Sequence, residues 1–232
     1  MGWLSAIRED IGAAQTRDPA ARNSIEVLLT YPGVHALIIH RLAHALWLAD
    51  IPLLPRLISN LSRLLTGIEI HPGAIMGHRL FIDHGMGVVI GETTVIGDDC
   101  HLFQGVTLGG TSTRHEKRHP TLENNVVVGA GAKIVGAVIV GENSRIGAGS
   151  VVASNVPPNA TVVGVPGHVI AFRDESNDTI QRLPDPEWDR IDSLERRLQQ
   201  IEQQLAKGSI TDASTARSTD APDIAAAERD DR

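Results

Sequence analysis

The chain of 232 residues contains one cysteine, Cys100. That excludes an intramolecular disulfide and any zinc site built from several cysteines. Aromatic residues make up only 3% of the sequence, too few for an ordinary sandwich or barrel, whose core rests on large side chains. No run of about 18 apolar residues occurs, so no transmembrane helix is expected. The opening MGWLSAIRED lacks the basic-then-apolar order of a secretory signal. Positive charge is in deficit as well: the formal net charge is −7, which disfavours nonspecific nucleic-acid binding. These absences leave a soluble, cytoplasmic globular protein as the expectation, long enough to bury a core.

What the sequence has in quantity is glycine, 22 residues, and aliphatic residues in fixed rhythms. Residues 1–66 read as an N-terminal helical domain. Ile25, Leu28, Leu29, Val34, Leu37, Ile38, Leu42, Ala45 and Leu46 recur at helical spacing. Tyr31-Pro32-Gly33 breaks a first helix from a second, and Pro52 with Pro55 punctuates the exit to a third. His35, His40 and His44 lie on these helices and read as packing or surface residues.

From residue 70 the period becomes six. Ile70, Met76, Ile82, Ile90, Ile96, Leu102, Leu108, Val128, Ile134, Val140, Ile146 and Val152 mark the hexads, and glycine follows many of them directly. Two residues before them stand mostly small residues, among them Ala74, Cys100, Ala132, Ser144 and Ser150. An α-helix does not sustain period six, and a flat strand alternates with period two. The pattern predicts a triangular solenoid over 67–170, with one short strand and one corner per hexad and the aliphatic residue pointing to the axis. Cys100 is then a small core residue.

The phase breaks twice. From Ile82 to Ile90 the step is eight, an insertion of two residues within Asp83-His84-Gly85-Met86-Gly87. From Leu108 to Val128 it is twenty, which predicts a protruding loop at about 109–125. Loops on a rigid repeat are where function tends to sit. Val156-Pro157-Pro158 and Gly164-Val165-Pro166-Gly167 end the repeats. Residues 171–207 form an extension in which Ile191, Leu194, Leu198, Ile201 and Leu205 follow the 3-4-3-4 spacing of a coiled-coil seam. It is too short to hold chains together alone but able to reinforce an oligomer. Residues 208–232 are polar and without periodicity, so a disordered tail is expected.

Ile68-Glu69-Ile70-His71-Pro72-Gly73-Ala74, Ile82-Asp83-His84-Gly85, Val89-Ile90-Gly91-Glu92-Thr93, Gly105-Val106-Thr107-Leu108-Gly109-Gly110, Lys117-Arg118-His119-Pro120 and Gly129-Ala130-Gly131-Ala132-Lys133 stand in an order and spacing that resembles serine O-acetyltransferase, of the hexapeptide-repeat acyltransferases. The resemblance covers roughly residues 15–170. It implies a left-handed parallel β-helix, an exception to the usual crossover rule, with an N-terminal α-helical domain. It also implies homotrimers with active sites between subunits, often paired into hexamers through the helical domain. The implied reaction moves the acetyl group of acetyl-CoA, a co-substrate, to the hydroxyl of L-serine for cysteine biosynthesis, and no metal is expected.

A serine hydroxyl is a poor nucleophile at neutral pH, so the site needs a general base, and histidine suits. His84 sits at the two-residue break and matches the family's catalytic base. Glu69 matches the carboxylate that orients it, although many relatives carry aspartate there. Family positions that hold serine map onto Asp18, Asp83, Arg118 and His119. Carboxylates suit the ammonium and guanidinium grips the carboxylate. Read structurally instead, Asp18 would be a helix N-cap with Pro19 at the first helical position. An oxyanion donor is placed near Gly109-Gly110. Coenzyme A is placed against Gly109, Gly110, Ala130 and Ala148, with Lys133 or Arg145 near its phosphates, both of which also read as plain surface charges.

Two departures from the family pattern stand out. The loop Thr111-Ser112-Thr113-Arg114-His115-Glu116-Lys117 lacks the glycines of many relatives. The terminal Glu228-Arg229-Asp230-Asp231-Arg232 lacks the isoleucine by which relatives dock into O-acetylserine sulfhydrylase, so that complex is not expected. The residues that would bind serine would equally bind cysteine, so feedback inhibition at the serine site is compatible with the resemblance. Two other readings share the solenoid. A γ-class carbonic anhydrase would draw zinc ligands from His71, His78, His84, His101 and His119, although no compact pair of histidines four residues apart supports it. A non-catalytic scaffold would leave the paired motif residues dispensable.

Overall fold

In a computed structural model, which describes residues 3–174, 179–183 and 186–217, four helices precede the repeats. They are α1 (Trp3–Arg17), α2 (Ser24–Thr30), α3 (Pro32–Leu48) and α4 (Leu54–Thr66). Their joints follow from local chemistry. The Asn23 side chain accepts the Ile25 and Glu26 amides and starts α2. Tyr31 closes α2, and Pro32 opens α3, where its missing N–H costs nothing. Gly67, at φ +73, ends α4 in the left-handed conformation. Helical spacing from residue 25 onward shows three of these helices. The fourth, α1, buries alanines at positions 6, 13 and 14, which are too small to stand out as an apolar stripe.

Beyond α4 the chain winds into a left-handed parallel β-helix of two- to four-residue strands. Each coil gives one strand to each of three faces. The first face stacks Glu69–Ile70, Val89–Ile90, Thr107–Gly109, Lys133–Val135 and Val151–Val152 in register. The second stacks Ile75–Met76, Val95–Ile96, Thr121–Leu122 and Ile139–Val140. The third stacks Phe81–Ile82, His101–Leu102, Val127–Val128, Arg145–Ile146 and Ala160–Val163. Two antiparallel strands, His168–Asp174 and Thr179–Arg182, then continue the third face past residue 170, where the repeat pattern ends.

Side chains alternate along each short strand, so its second residue points inward. Ile70, Ile82, Ile90, Ile96, Leu102, Leu108, Val128, Ile134, Val140, Ile146 and Val152 are all buried. The small row two residues earlier, including Ala74, Cys100, Ala132, Ser144 and Ser150, is buried as well. Leu122 is a further hexad that the spacing misses. The true step is from Leu108 to Leu122, fourteen rather than twenty, so the excursion spans 110–120 and not 109–125. It is disguised because Pro120 takes the small-residue position and Glu123 the glycine position.

The helices seat against the first coil. Ala36 and Leu37 of α3 and Ile68 after α4 join the solenoid core, while Phe81 packs with Ala14, Val27 and Val34. Gly33 makes this approach possible, since a Cβ there would stand 2.1 Å from the Ile82 carbonyl oxygen. The Tyr31-Pro32-Gly33 break therefore brings residues 18 and 31 to the edge that carries Asp83 and His84.

The chain divides at Leu183 into two units. The second contains α5 (Pro186–Arg217), which runs ten residues past position 207 into the segment expected to lack structure. The tail expectation for 218–232, and the terminal residues argued from above, lie outside the described residues.

Candidate active site

The two-residue insertion turns His84 out of the wall. The ladder still holds at Asp83, whose N–H donates to the Leu102 carbonyl at 2.8 Å. His84 and Gly85 then take φ of +57 and +72, and the His84 side chain is 75% exposed. The Asp83 carboxylate lies between two imidazoles, with Oδ1 3.9 Å from His84 Nε2 and Oδ2 3.9 Å from His101 Nε2. His101 is stacked on Phe103 at 4.3 Å and lies 4.8 Å from Phe81. Among the described residues its Nε2 is buried without a hydrogen-bond partner, and burial lowers its pKa.

Asp18 completes this edge. It caps no helix, because no helix begins at Pro19. It forms a local turn instead, with Oδ1 accepting the Ala20 N–H at 2.8 Å. Its Oδ2 accepts the Tyr31 hydroxyl at 2.5 Å. The Tyr31 bond first, then the Ala20 amide, hold Asp18 below the usual carboxylate range, and the same contact pushes Tyr31 up to about 12. His84 is near enough to favour the charged form of Asp18. Two carboxylates and an exposed imidazole thus gather from two separate stretches of chain.

Arg118 and His119 lie on a different edge, across the first face. Their backbone N–H groups both donate to Thr93 Oγ1 at 3.1 Å. With its oxygen accepting twice, the Thr93 hydroxyl directs its proton at His119 Nδ1, 3.0 Å away, and the Thr93 N–H also reaches Nδ1 at 3.3 Å. Nδ1 is therefore an acceptor and Nε2 carries the proton. Burial, then the adjacent Arg118 charge, keep His119 neutral by lowering its pKa. The ring requires glycine beneath it, since a Cβ on Gly91 would lie 1.9 Å from its Cδ2. Arg118 donates to Glu92 Oε2 at 2.6 Å and lines the same groove as His119, so this edge offers a guanidinium and an imidazole N–H, groups suited to a carboxylate.

Glu69 faces outward between these edges. Its partner in the chain is Arg63, at 3.0 Å. Among the described residues no hydrogen bond or ion pair joins Glu69 to His84, and none joins Arg118 or His119 to the Asp18–Asp83–His84 group. Gly109 and Gly110 line the groove with Glu69, His71, Arg118 and His119. Ala130 and Ala148 stand on the histidine edge, tied by the Gly149 N–H to the Ala130 carbonyl at 2.8 Å. Beside them Gly131 and Gly149 have no atom within 4 Å of where a Cβ would stand. Lys133, from the first face, donates to the Gly105 carbonyl of this same edge. The expected coenzyme residues thus divide between the two edges as well.

The five histidines weighed for a metal do not converge. His71 and His119 lie on the loop edge, His84 on the histidine edge, His101 on the adjoining third face, and His78 pairs with Glu9 on the remaining edge. No cluster of three or more potential metal ligands occurs among the described residues. Sequence reasoning missed Tyr31 and Thr93, and named His101 only as a candidate zinc ligand. Tyr31 is the sole tyrosine, beside a helix break, and that was the available signal. Thr93 and His101 act through folding that brings residues about a coil apart together.

Residues 119–154 match the family described as bacterial transferase hexapeptide (six repeats). A serine acetyltransferase from Synechococcus elongatus is 56% identical over 202 residues, which cover 86% of this chain and 83% of that one. The crystal structure of serine acetyltransferase from Brucella abortus in complex with coenzyme A matches with a TM-score of 0.72 and 42% identity, over 73% of this chain and 68% of that one. The Neisseria gonorrhoeae serine acetyltransferase in complex with serine matches with a TM-score of 0.71 and 41% identity, over 73% and 69% of the two chains.

Proposed function

Because the chain belongs to the serine acetyltransferase family, we propose that its two half-sites divide one reaction between neighbouring copies of the chain. The protein is an acyltransferase that moves the acetyl group of acetyl-CoA to the hydroxyl of L-serine, giving O-acetyl-L-serine and CoA. The observation that carries the division of labour is the separation of Asp18, Asp83 and His84 from Arg118 and His119 on two edges of one solenoid. A second copy, laid edge to edge in a homotrimer, brings the complementary halves together.

In this reading Asp18 and Asp83 take the substrate ammonium. Arg118 and the His119 Nε2–H of a neighbouring copy take its carboxylate, which leaves the hydroxyl facing His84. His84 accepts the hydroxyl proton as oxygen attacks the thioester carbonyl. The oxyanion that forms meets the backbone N–H near Gly109-Gly110. Collapse breaks the carbon–sulfur bond, and the imidazolium returns the proton to the departing CoA thiolate. Glu69, paired with Arg63 in its own chain, orients His84 only from across the interface. The open strip at Ala130, Gly131, Ala148 and Gly149 accommodates the pantetheine arm, with Lys133 beside it. The exposed apolar residues Leu57, Leu61 and Leu64 of α4 support pairing of trimers through the helical domain.

The test is acetyl-CoA-dependent thiol release with L-serine, beside homoserine, threonine and a galactoside. Turnover with serine alone is expected, and turnover only with another acceptor would overturn the assignment of the half-sites to an amino acid.

Tyr31 is a positioning residue in this scheme. Tyr31→Phe removes a hydrogen bond to a charged carboxylate, so KM for serine is expected to rise roughly tenfold with kcat little changed. Asp18 loses the contact that holds its pKa down, so KM for serine should begin to rise at a higher pH on the acid side than in the wild type, below the limb set by the base. A fall in kcat with KM for serine unmoved at every pH would show that Tyr31 matters only to folding.

A further inference from the structure

Five large apolar side chains on α5 face water. Ile191, Leu194, Leu198, Ile201 and Leu205 are 47 to 68% exposed, and their spacing places Ile191, Leu198 and Leu205 at the first core position of a heptad and Leu194 and Ile201 at the second. The flanking positions that border such a seam carry a charge pattern. Arg190 and Arg197 precede the first core position, while Glu195 and Glu202 follow the second. In a parallel, in-register pairing Arg190 of one copy meets Glu195 of another, and Arg197 meets Glu202. In an antiparallel pairing arginine would meet arginine and glutamate would meet glutamate. On the opposite face Arg196 pairs with Asp192 of its own helix, as suits a surface turned to solvent.

We infer that α5 is a parallel, in-register coiled-coil seam whose occupant is the same helix of other copies of this chain. The first heptad, Ile191 with Leu194, keeps the β-branched-then-leucine order of two-stranded coils, but the second, Leu198 with Ile201, reverses it. That favours three strands, and here the inference rests on the trimer proposed above, while its orientation rests on the charges alone. Some two heptads are marginal in isolation. Copies already joined by another interface supply the effective concentration that lets so short a seam close.

Cysteine cross-linking of the full chain tests this. Cys100 is buried with its thiol pushed up to about 11, so it does not compete. The Ile191→Cys variant, oxidised, is expected to give disulfide-linked dimers on a non-reducing gel, because identical positions lie side by side. Adding Arg190→Glu and Arg197→Glu should slow the linking several-fold, and adding Glu195→Arg and Glu202→Arg to those should restore it. Links only between Ile191→Cys and Leu205→Cys chains would show an antiparallel pair and overturn the inference. So would no links at all, which would leave the face to another protein. Serine-dependent thiol release by the same variants reports the catalytic reading separately, so failure of one is distinguishable from failure of the other.

Discussion

Replacing His84 with alanine is expected to lower kcat for serine acetylation by about 10²–10⁴-fold, the usual contribution of a positioned general base. KM for acetyl-CoA should stay close to its starting value, since no proposed coenzyme contact involves the imidazole. The exposure of His84 argues that the loss is chemical rather than structural, because a side chain 75% exposed contributes little to the core. Its backbone is the sensitive feature. At φ +57 an alanine is less at ease than asparagine, which enters the left-handed region more readily. The His84→Asn variant is therefore the companion measurement: it keeps the turn and removes the base. Both variants should lose thiol release to a similar extent while retaining cooperative thermal unfolding. Substantial activity in His84→Asn would move the base elsewhere, and the buried, unpartnered His101 Nε2 beside Asp83 would be the next residue to test.

The architecture was legible because its physics is periodic. One aliphatic residue per hexad must fill a narrow axis, so the rhythm from Ile70 to Val152 reads directly as three-sided coils. The same logic failed at Leu122, where Pro120 and Glu123 replace the small residue and the glycine that mark many of the other hexads. Asp83 and His84 were legible as an interruption of phase, and Arg118 and His119 as the closing motif of the excursion. What the sequence could not display was distance between edges. Spacing along a solenoid tells which corner a residue occupies only if every intervening hexad is counted, and one was hidden. Asp18 shows a second limit. Asp-Pro reads locally as a helix start, yet its carboxylate is claimed by Tyr31, thirteen residues on, through the packing of Gly33 against Ile82. Glu69 shows a third. Its identity suggests a partner for His84, while the turn of α4 into the first strand gives it Arg63.

The separation of the half-sites has a consequence that a single-chain site would not share. The His84→Ala chain retains an intact Arg118–His119 edge, and the Arg118→Ala chain retains an intact histidine edge. Each alone forms only defective interfaces, the first without a base and the second without the guanidinium that seats the substrate carboxylate. Co-expressed with different tags and purified through both, the two chains should form interfaces in which both contributing edges are wild type. Purification through both tags keeps only mixed trimers, and every mixed ring has one interface in three whose two contributing edges are intact, so about a third of wild-type activity should return. Recovery on that scale from two nearly inactive parents requires that Asp83 and His84 of one copy work with Arg118 and His119 of another. If the residues acted within one chain, every chain in the mixture would still carry a defect, and no mixing ratio would raise activity above that of the better parent.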